Sequence, residues 1–289
     1  VLSTSSFKGR QVSKVIVTHY HPDHVGLAGW LVEKTGAELH MTRSEFLLSQ
    51  TLLLGKSDHP PEEYIQFYAR AGISGQPLDI MRQSSFDHYS KGVYKLPLGN
   101  IRLRDKDILK IGNRSWQIVV GAGHSPEHAC LYCEADKLLI SGDQLLPKIT
   151  SNVSVYPSEP KSNPLGHWIG SLQKLRTLDA DTLVLPAHND PFKGLYTRVD
   201  QVLASHMRRL KAVWNVIEKP TNGIGLFPAL FKRHLSGIDF IMGLGEALAH
   251  VHHLERKGLA NRTMEDGVYL FTQTGEFDPM LVMGEKEHV

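Results

Sequence analysis

The sequence has little cysteine, no long apolar run and almost no net charge, and each shortage closes off a class of protein. Cys130 and Cys133 are its two thiols. That is too few for a disulfide scaffold, and a single C-x-x-C without a second pair cannot build a zinc ribbon. They sit in an apolar run, 129–132, so they read as buried strand residues of a protein from a reducing, cytoplasmic compartment. Apolar pieces such as Val15-Ile16-Val17 fall far short of the roughly 18 residues that a membrane helix needs. A net charge of +2 gives no whole-molecule field to draw nucleic acid or an acidic surface. With 41% hydrophobic and 21% charged residues, disordered and fibrous classes are excluded as well.

What is present in excess is histidine. The chain holds 16, against roughly six or seven expected from average usage. Its 289 residues suffice for one large domain, or for one of about 200 residues with a smaller companion. The chain opens at Val1 with no basic-then-apolar leader pattern, which reads as a trimmed start.

The pattern along the chain predicts an α/β protein in two parts, 1–200 and 201–289. A β-branched strand at 12–18 leads through a loop to a helix at 25–34. Segment 41–94 reads as a helical insertion, with pieces at 44–54 and 61–71, and its Phe67, Tyr68, Phe86 and Tyr89 could roof a pocket. Short strands follow at 101–103, 108–111, 116–120, 130–133, 138–140 and 182–185, interrupted by a helix at 165–177. Mixed strands and helices of this kind point to an α/β sandwich. After Pro191 the strand pattern stops. Helices at 198–218, 227–234 and 239–257 precede a hairpin at 259–272 that turns at Glu265-Asp266-Gly267, the outline of a winged helix.

His19-Tyr20-His21-Pro22-Asp23-His24 carries the chemistry. His19 and His21, two apart at the end of an extended run, project from one face. Pro22 ends the extension, and Asp23 and His24 fall in the turn that opens the next helix. One strand end thus offers two ligands to one metal and two to a neighbour, of the imidazole and carboxylate types that suit zinc. Three further apolar strands end in a candidate ligand, through Gly121-Ala122-Gly123-His124, Ser141-Gly142-Asp143 and Pro186-Ala187-His188. Loops at the carboxyl ends of strands are where α/β proteins usually build sites.

The order H-x-H-x-D-H, G-x-G-H-S, S-G-D, P-A-H resembles the metallo-β-lactamase superfamily across about residues 12–200. The resemblance implies a four-layer αββα sandwich with two metals between the sheets. It assigns His19, His21 and His124 to the first metal, Asp23, His24 and His188 to the second, and Asp143 to the bridge. The cysteine ligand of some true β-lactamases has no counterpart, which points to a hydrolase of the broader group. Gly245-Glu246-Ala247-Leu248-Ala249-His250, with Leu254 and Gly258, resembles the winged-helix extension of a subgroup that includes glyoxalase-II-like hydrolases and a mitochondrial endoribonuclease. Family members carry several strands before the first motif, and 18 residues precede His19 here. The N-terminal strands of one sheet are therefore expected to be missing.

Two metals about 3.5–4 Å apart can bridge a hydroxide and polarise the bond it attacks. Asp23 could then pass a proton to the leaving group, or serve as a ligand alone. The expected cofactor is two zinc ions, with manganese or iron accepted by the same donors. The expected activity is hydrolysis of a small ester, thioester or related acyl substrate. A metal-dependent endoribonuclease acting on single-stranded RNA is the alternative, with Lys91, Lys95, Arg102 and Arg104 as its basic residues. Charge separates the two. Residues 201–289 hold ten Lys or Arg and ten Asp or Glu, and a nucleic-acid-binding wing is normally basic. Packing, or dimerisation into a homo-oligomer, is the better role for the tail. Among the other histidines, His128 reads as a strand-edge residue, with support of the site as its alternative, and His206 as part of a solvated helix face. His250, His252 and His253 lie on a packing helix beside Leu248, Val251 and Leu254 and need no function. Segment 149–153 is polar enough to line a pocket.

Overall fold

The computed structural model describes residues 9–284. In chain order its elements are β1 (Lys14–Ile16), α1 (Pro22–Val25), α2 (Ala28–Thr35), β2 (Glu38–Thr42), α3 (Arg43–Leu54), α4 (Glu62–Arg70), α5 (Gln76–Gln83), α6 (His88–Gly92), β3 (Ile101–Leu103), β4 (Ile108–Ile111), β5 (Arg114–Gly121), β6 (His128–Cys133), β7 (Leu138–Gly142), α7 (Pro164–Leu175), β8 (Leu183–Pro186), α8 (Leu195–Val216), α9 (Phe227–Leu230), α10 (Gly237–Arg256), β9 (Ala260–Glu265), β10 (Val268–Gln273) and α11 (Pro279–Met283). β1, β2 and β3 form one parallel sheet, and β4 to β8 form a second in sequence order. In that second sheet β4 to β7 run antiparallel, and β8 lies parallel to β7.

Strand alternation explains why the two sheets stack. Successive side chains point to opposite faces, and the central strands are apolar on both. Trp116, Ile118, Ala129, Leu131 and Cys133 meet Leu103 and Ile16 of the first sheet in one cluster. Val119, Cys130, Tyr132 and Leu139 face the other way, onto α7, α8 and α10. On the far side of the first sheet, Leu39 and Met41 pack under Val25, Ala28 and Phe46. The layers are therefore helix, sheet, sheet, helix.

α7 shows the sequence logic of the outer layer. The Asn163 side chain accepts the Gly166 N–H at the helix start, where Pro164 fits without a donor. Leu165, Trp168, Ile169, Leu172 and Leu175 then form a buried stripe at helical spacing. α8 is the same in kind, with Leu195, Val199, Val202, Leu210 and Val213 buried. The sequence boundary at 200/201 falls inside this helix, and the cluster it joins runs on through α10 to Phe271 of β10. The hairpin turns through Asp266 and Gly267, both with positive φ, as a two-residue primed turn requires. Among the described residues no helix is long and apolar enough to cross a membrane.

Several expectations need correction. The helix expected at 25–34 is split into α1 and α2, and that at 227–234 shortens to α9 behind a single 3-10 turn at Ile224–Leu226. β2 occupies the start of what reads as helical insertion. α5, α6 and α11, at eight, five and five residues, are too short to show a helical period in the sequence. Nor is His206 solvated: it is 1% exposed, because it lies on the buried stripe of α8, with its Nδ1 3.4 Å from His250 Nε2. Of the four aromatic residues proposed as a roof, Tyr68 is buried in the core and Phe67 packs against the same cluster. Phe86 stacks edge-on to Tyr64, and the Tyr89 hydroxyl donates to the Tyr20 carbonyl.

Candidate metal centre

Strand direction gathers the site. β5, β7 and β8 run the same way, so their carboxyl ends, followed by His124, Asp143 and His188, share one edge of the second sheet. β1 ends at the same place, because the Ala129 N–H donates to the Thr18 carbonyl at 2.8 Å and joins the sheets there. Two glycines make the close approach possible. Gly123 has φ +112°, and a Cβ on it would stand 2.5 Å from Trp168 Cβ. Gly142 has φ +52°, and its Cβ would meet the His128 ring at 2.5 Å.

All seven side chains converge. His21 Nδ1 lies 3.0 Å from His19 Nε2 and 3.0 Å from His124 Nε2, and the remaining side of that triangle is 3.3 Å. Asp23 Oδ2 lies 3.3 Å from His24 Nε2 and 3.4 Å from His188 Nε2. Asp143 sits between the two groups. Its Oδ2 is 3.3 Å from both His124 Nε2 and His24 Nε2, and its Oδ1 is 3.4 Å from His188 Nε2. The first group is the more buried, with the His19 side chain 0% exposed, whereas Asp23 at 59% and His188 at 43% face solvent. The site is thus open on the Asp23 side, not the closed aromatic cavity that the sequence suggests. A separate cavity of about 400 Å³, lined by Gln117, Tyr132, Glu134, Thr177, Leu178 and Asp179, brings no comparable donor set together.

These distances fit metal ions better than a hydrogen-bonded cluster. His124 donates its Nδ1–H to the Asn152 carbonyl at 2.7 Å, which leaves Nε2 a bare lone pair pointing at two other imidazoles. His24 Nε2 and Asp143 Oδ1 are buried without any hydrogen-bond partner, a costly state for polar atoms. A tetrahedral zinc with nitrogen bonds of about 2.0–2.1 Å sets its donors about 3.3 Å apart. Five imidazoles and two carboxylates suit zinc, manganese or iron alike. Protonation states agree with a cation site. Burial, then the neighbouring His124, pushes the His21 imidazole down to about 2. Burial chiefly holds His19 well below its usual range too. Burial alone would raise the Asp143 carboxyl, but His124 and His24 outweigh it and hold it well below the carboxylate range.

The surrounding contacts hold two residues that sequence reasoning misjudged or missed. His128 is fully buried beneath the site, and its Nε2 accepts the Asp143 N–H at 3.1 Å. It stands at the edge of its strand, as the sequence suggests, and it also supports the site. As the first residue of an antiparallel strand, it starts on the same edge where β5 and β7 end. Burial pushes its imidazole down to about 3, so the ring stays neutral and keeps that lone pair. Glu45 has no sequence signal at all: it is a lone acid in the first turn of α3, yet 0% exposed and bonded to both ligand loops. Segment 149–153 reaches the site through the Asn152 carbonyl and through the Ser151 hydroxyl, which donates to the Asp143 carbonyl. Such outer contacts fix imidazole tautomers and ligand orientation in metal proteins.

Comparison with known proteins agrees with this arrangement. Residues 2–188 match the Metallo-beta-lactamase superfamily, and residues 210–274 match the Metallo-beta-lactamase-like, C-terminal domain. A beta-lactamase domain protein from Burkholderia ambifaria is 40% identical with a TM-score of 0.82, over 91% of this chain and 76% of that one. The probable metallo-hydrolase YqjP of Bacillus subtilis is 21% identical over 88% of this chain and 78% of its own length. An atrochrysone carboxyl ACP thioesterase from Emericella nidulans is 26% identical over 57% of this chain and 51% of its own. With its four layers, its convergent histidines and aspartates and these matches, the chain belongs to the metallo-beta-lactamase superfamily and is a metallo-hydrolase.

Proposed function

We propose that the protein is a dinuclear zinc hydrolase of small esters, thioesters or related acyl compounds. The observation that carries this is Asp143, one carboxylate within 3.4 Å of a histidine from each donor group. His19, His21 and His124 would hold one ion, Asp23, His24 and His188 the other, with Asp143 shared. Two bound ions supply Lewis acidity and bring the pKa of a coordinated water towards neutrality. The chain's own residues do the rest. Asn152 and Thr18 orient the imidazoles of His124 and His19. His128 fixes the backbone of Asp143. Asp23, on the solvent-open side, would carry a proton to the departing group.

An acyl substrate is favoured by the thioesterase relative and by the neutral tail. We read that tail as a winged-helix-like packing unit, and the buried, reduced thiols as those of a cytoplasmic protein. The test is turnover of an aryl ester and a thioester against a single-stranded RNA oligonucleotide, with zinc-loaded protein at two salt concentrations. Ester or thioester turnover that disappears on chelation is expected. Salt-sensitive RNA cleavage with no acyl turnover would replace this reading with a nuclease.

A further inference from the structure

Glu45 is a charged side chain held in the interior, outside the seven metal-type residues. Its Oε2 accepts the backbone N–H of Tyr20 at 2.9 Å, and Tyr20 separates His19 from His21. Its Oε1 accepts the Ser125 hydroxyl and the Glu127 N–H, each at 2.7 Å, and Ser125 follows His124. One carboxylate therefore spans the two loops that carry the nitrogen triangle, one loop from each sheet. The grip is mutual. The Glu127 carboxylate accepts the Ser44 N–H at 2.7 Å and its carbonyl accepts the Thr42 hydroxyl at 2.8 Å, which fixes the start of α3 against the same loop.

Burying a carboxylate is expensive, and packing alone could be served by an uncharged side chain. Here the three donors need two acceptor oxygens on one rigid group, which a carboxylate has and an amide lacks. We propose that Glu45 is a positioning residue for the metal centre: its carboxylate fixes the distance between the His19–His21 loop and His124. This rests on the reading that those histidines hold metal. Glu45→Gln is nearly isosteric, but its amide offers one oxygen, so an NH₂ group must face a donor on one of the two loops. The link between the loops then breaks without a cavity.

The experiment uses the full chain. Zinc affinity is measured by competition with a chromophoric chelator, and the visible spectrum of the cobalt-substituted protein reports ligand geometry. Glu45→Gln should weaken zinc binding roughly 10- to 100-fold and shift the cobalt bands. Leu39→Ala, a cavity in the layer beneath α2 and α3, should lower stability while leaving both readouts at wild-type values. Equal losses in the two variants, or Glu45→Gln within about threefold of wild type with unchanged bands, would overturn the proposal. Should Glu45→Gln not fold, Ser125→Ala removes one donor and leaves the charge satisfied by the other two. A several-fold loss of zinc affinity in that variant supports the role, and wild-type affinity sinks it. Wild-type protein that binds neither zinc nor cobalt would be a different failure, that of the metal reading itself.

Discussion

Acid should loosen the protein at a place remote from its metal-type residues. His252 on α10 is 3% exposed, and its Nδ1–H donates to the Ser162 carbonyl at 3.1 Å, tying the loop before α7 to α10. Burial first, then the nearby Arg262, lowers its imidazole from 6.5 to about 4. The folded chain thus refuses a proton that the unfolded chain takes up at 6.5. Stability tied to this neutral ring is complete above pH 6.5 and is lost progressively as the pH falls from 6.5 to about 4. A proton bound by the unfolded chain alone costs the fold about 1.36 kcal/mol for each pH unit of acidification, so going from pH 7 to pH 5 removes about 2 kcal/mol through this residue. His252→Gln keeps an N–H for Ser162 and removes the titration. Urea unfolding of metal-free wild type and variant at pH 7 and pH 5 isolates the effect, because every other histidine contributes equally to both. The pH-dependent loss in the variant should be smaller by about 2 kcal/mol, at unchanged m-value. An identical loss in both proteins would refute the reasoning.

Asp143→Ala should release both ions, because its carboxylate faces both donor groups, whereas Asp23→Asn should retain the ion of the nitrogen triangle; metal content by plasma emission distinguishes them, and equal content refutes the assignment. Gly123→Ala meets both a positive φ and Trp168 Cβ, and should cost about 2–4 kcal/mol in urea unfolding. Zinc affinity should fall with it, since His124 is the next residue. Wild-type stability in that variant would show that the loop has room to give.

The site was legible wherever an apolar strand ended in a small residue and then a ligand type. His124, Asp143 and His188 follow this rule, and the spacing from His19 to His24 is informative by itself. The fold class was legible in the alternation of short apolar strands with helices, and β5 to β7 prove apolar on both faces. What stayed hidden depends on strand direction and partner. His128 begins its strand, and only the antiparallel pairing with β5 and β7 returns it to the ligand edge. His206 looked polar in a polar stretch, but its spacing from Val202 and Leu210 belongs to the buried stripe. Glu45 depends on two loops that lie far from it in sequence. The roof suggested by Phe67, Tyr68, Phe86 and Tyr89 failed because Phe67 and Tyr68 pack on the core, Phe86 packs on Tyr64, and the Tyr89 hydroxyl is taken up by the Tyr20 carbonyl.

The seam at Thr18 and Ala129 has a consequence for folding. His21 and His124 stand 103 positions apart in the chain, on loops of different sheets. Neither sheet alone holds the nitrogen triangle, so no local fragment can present it. Contacts of such long sequence separation form late, after the cost of closing the chain has been met. The ion-binding geometry is therefore a property of the finished tertiary structure. A metal captured there would act as a clasp between the two sheets of the sandwich.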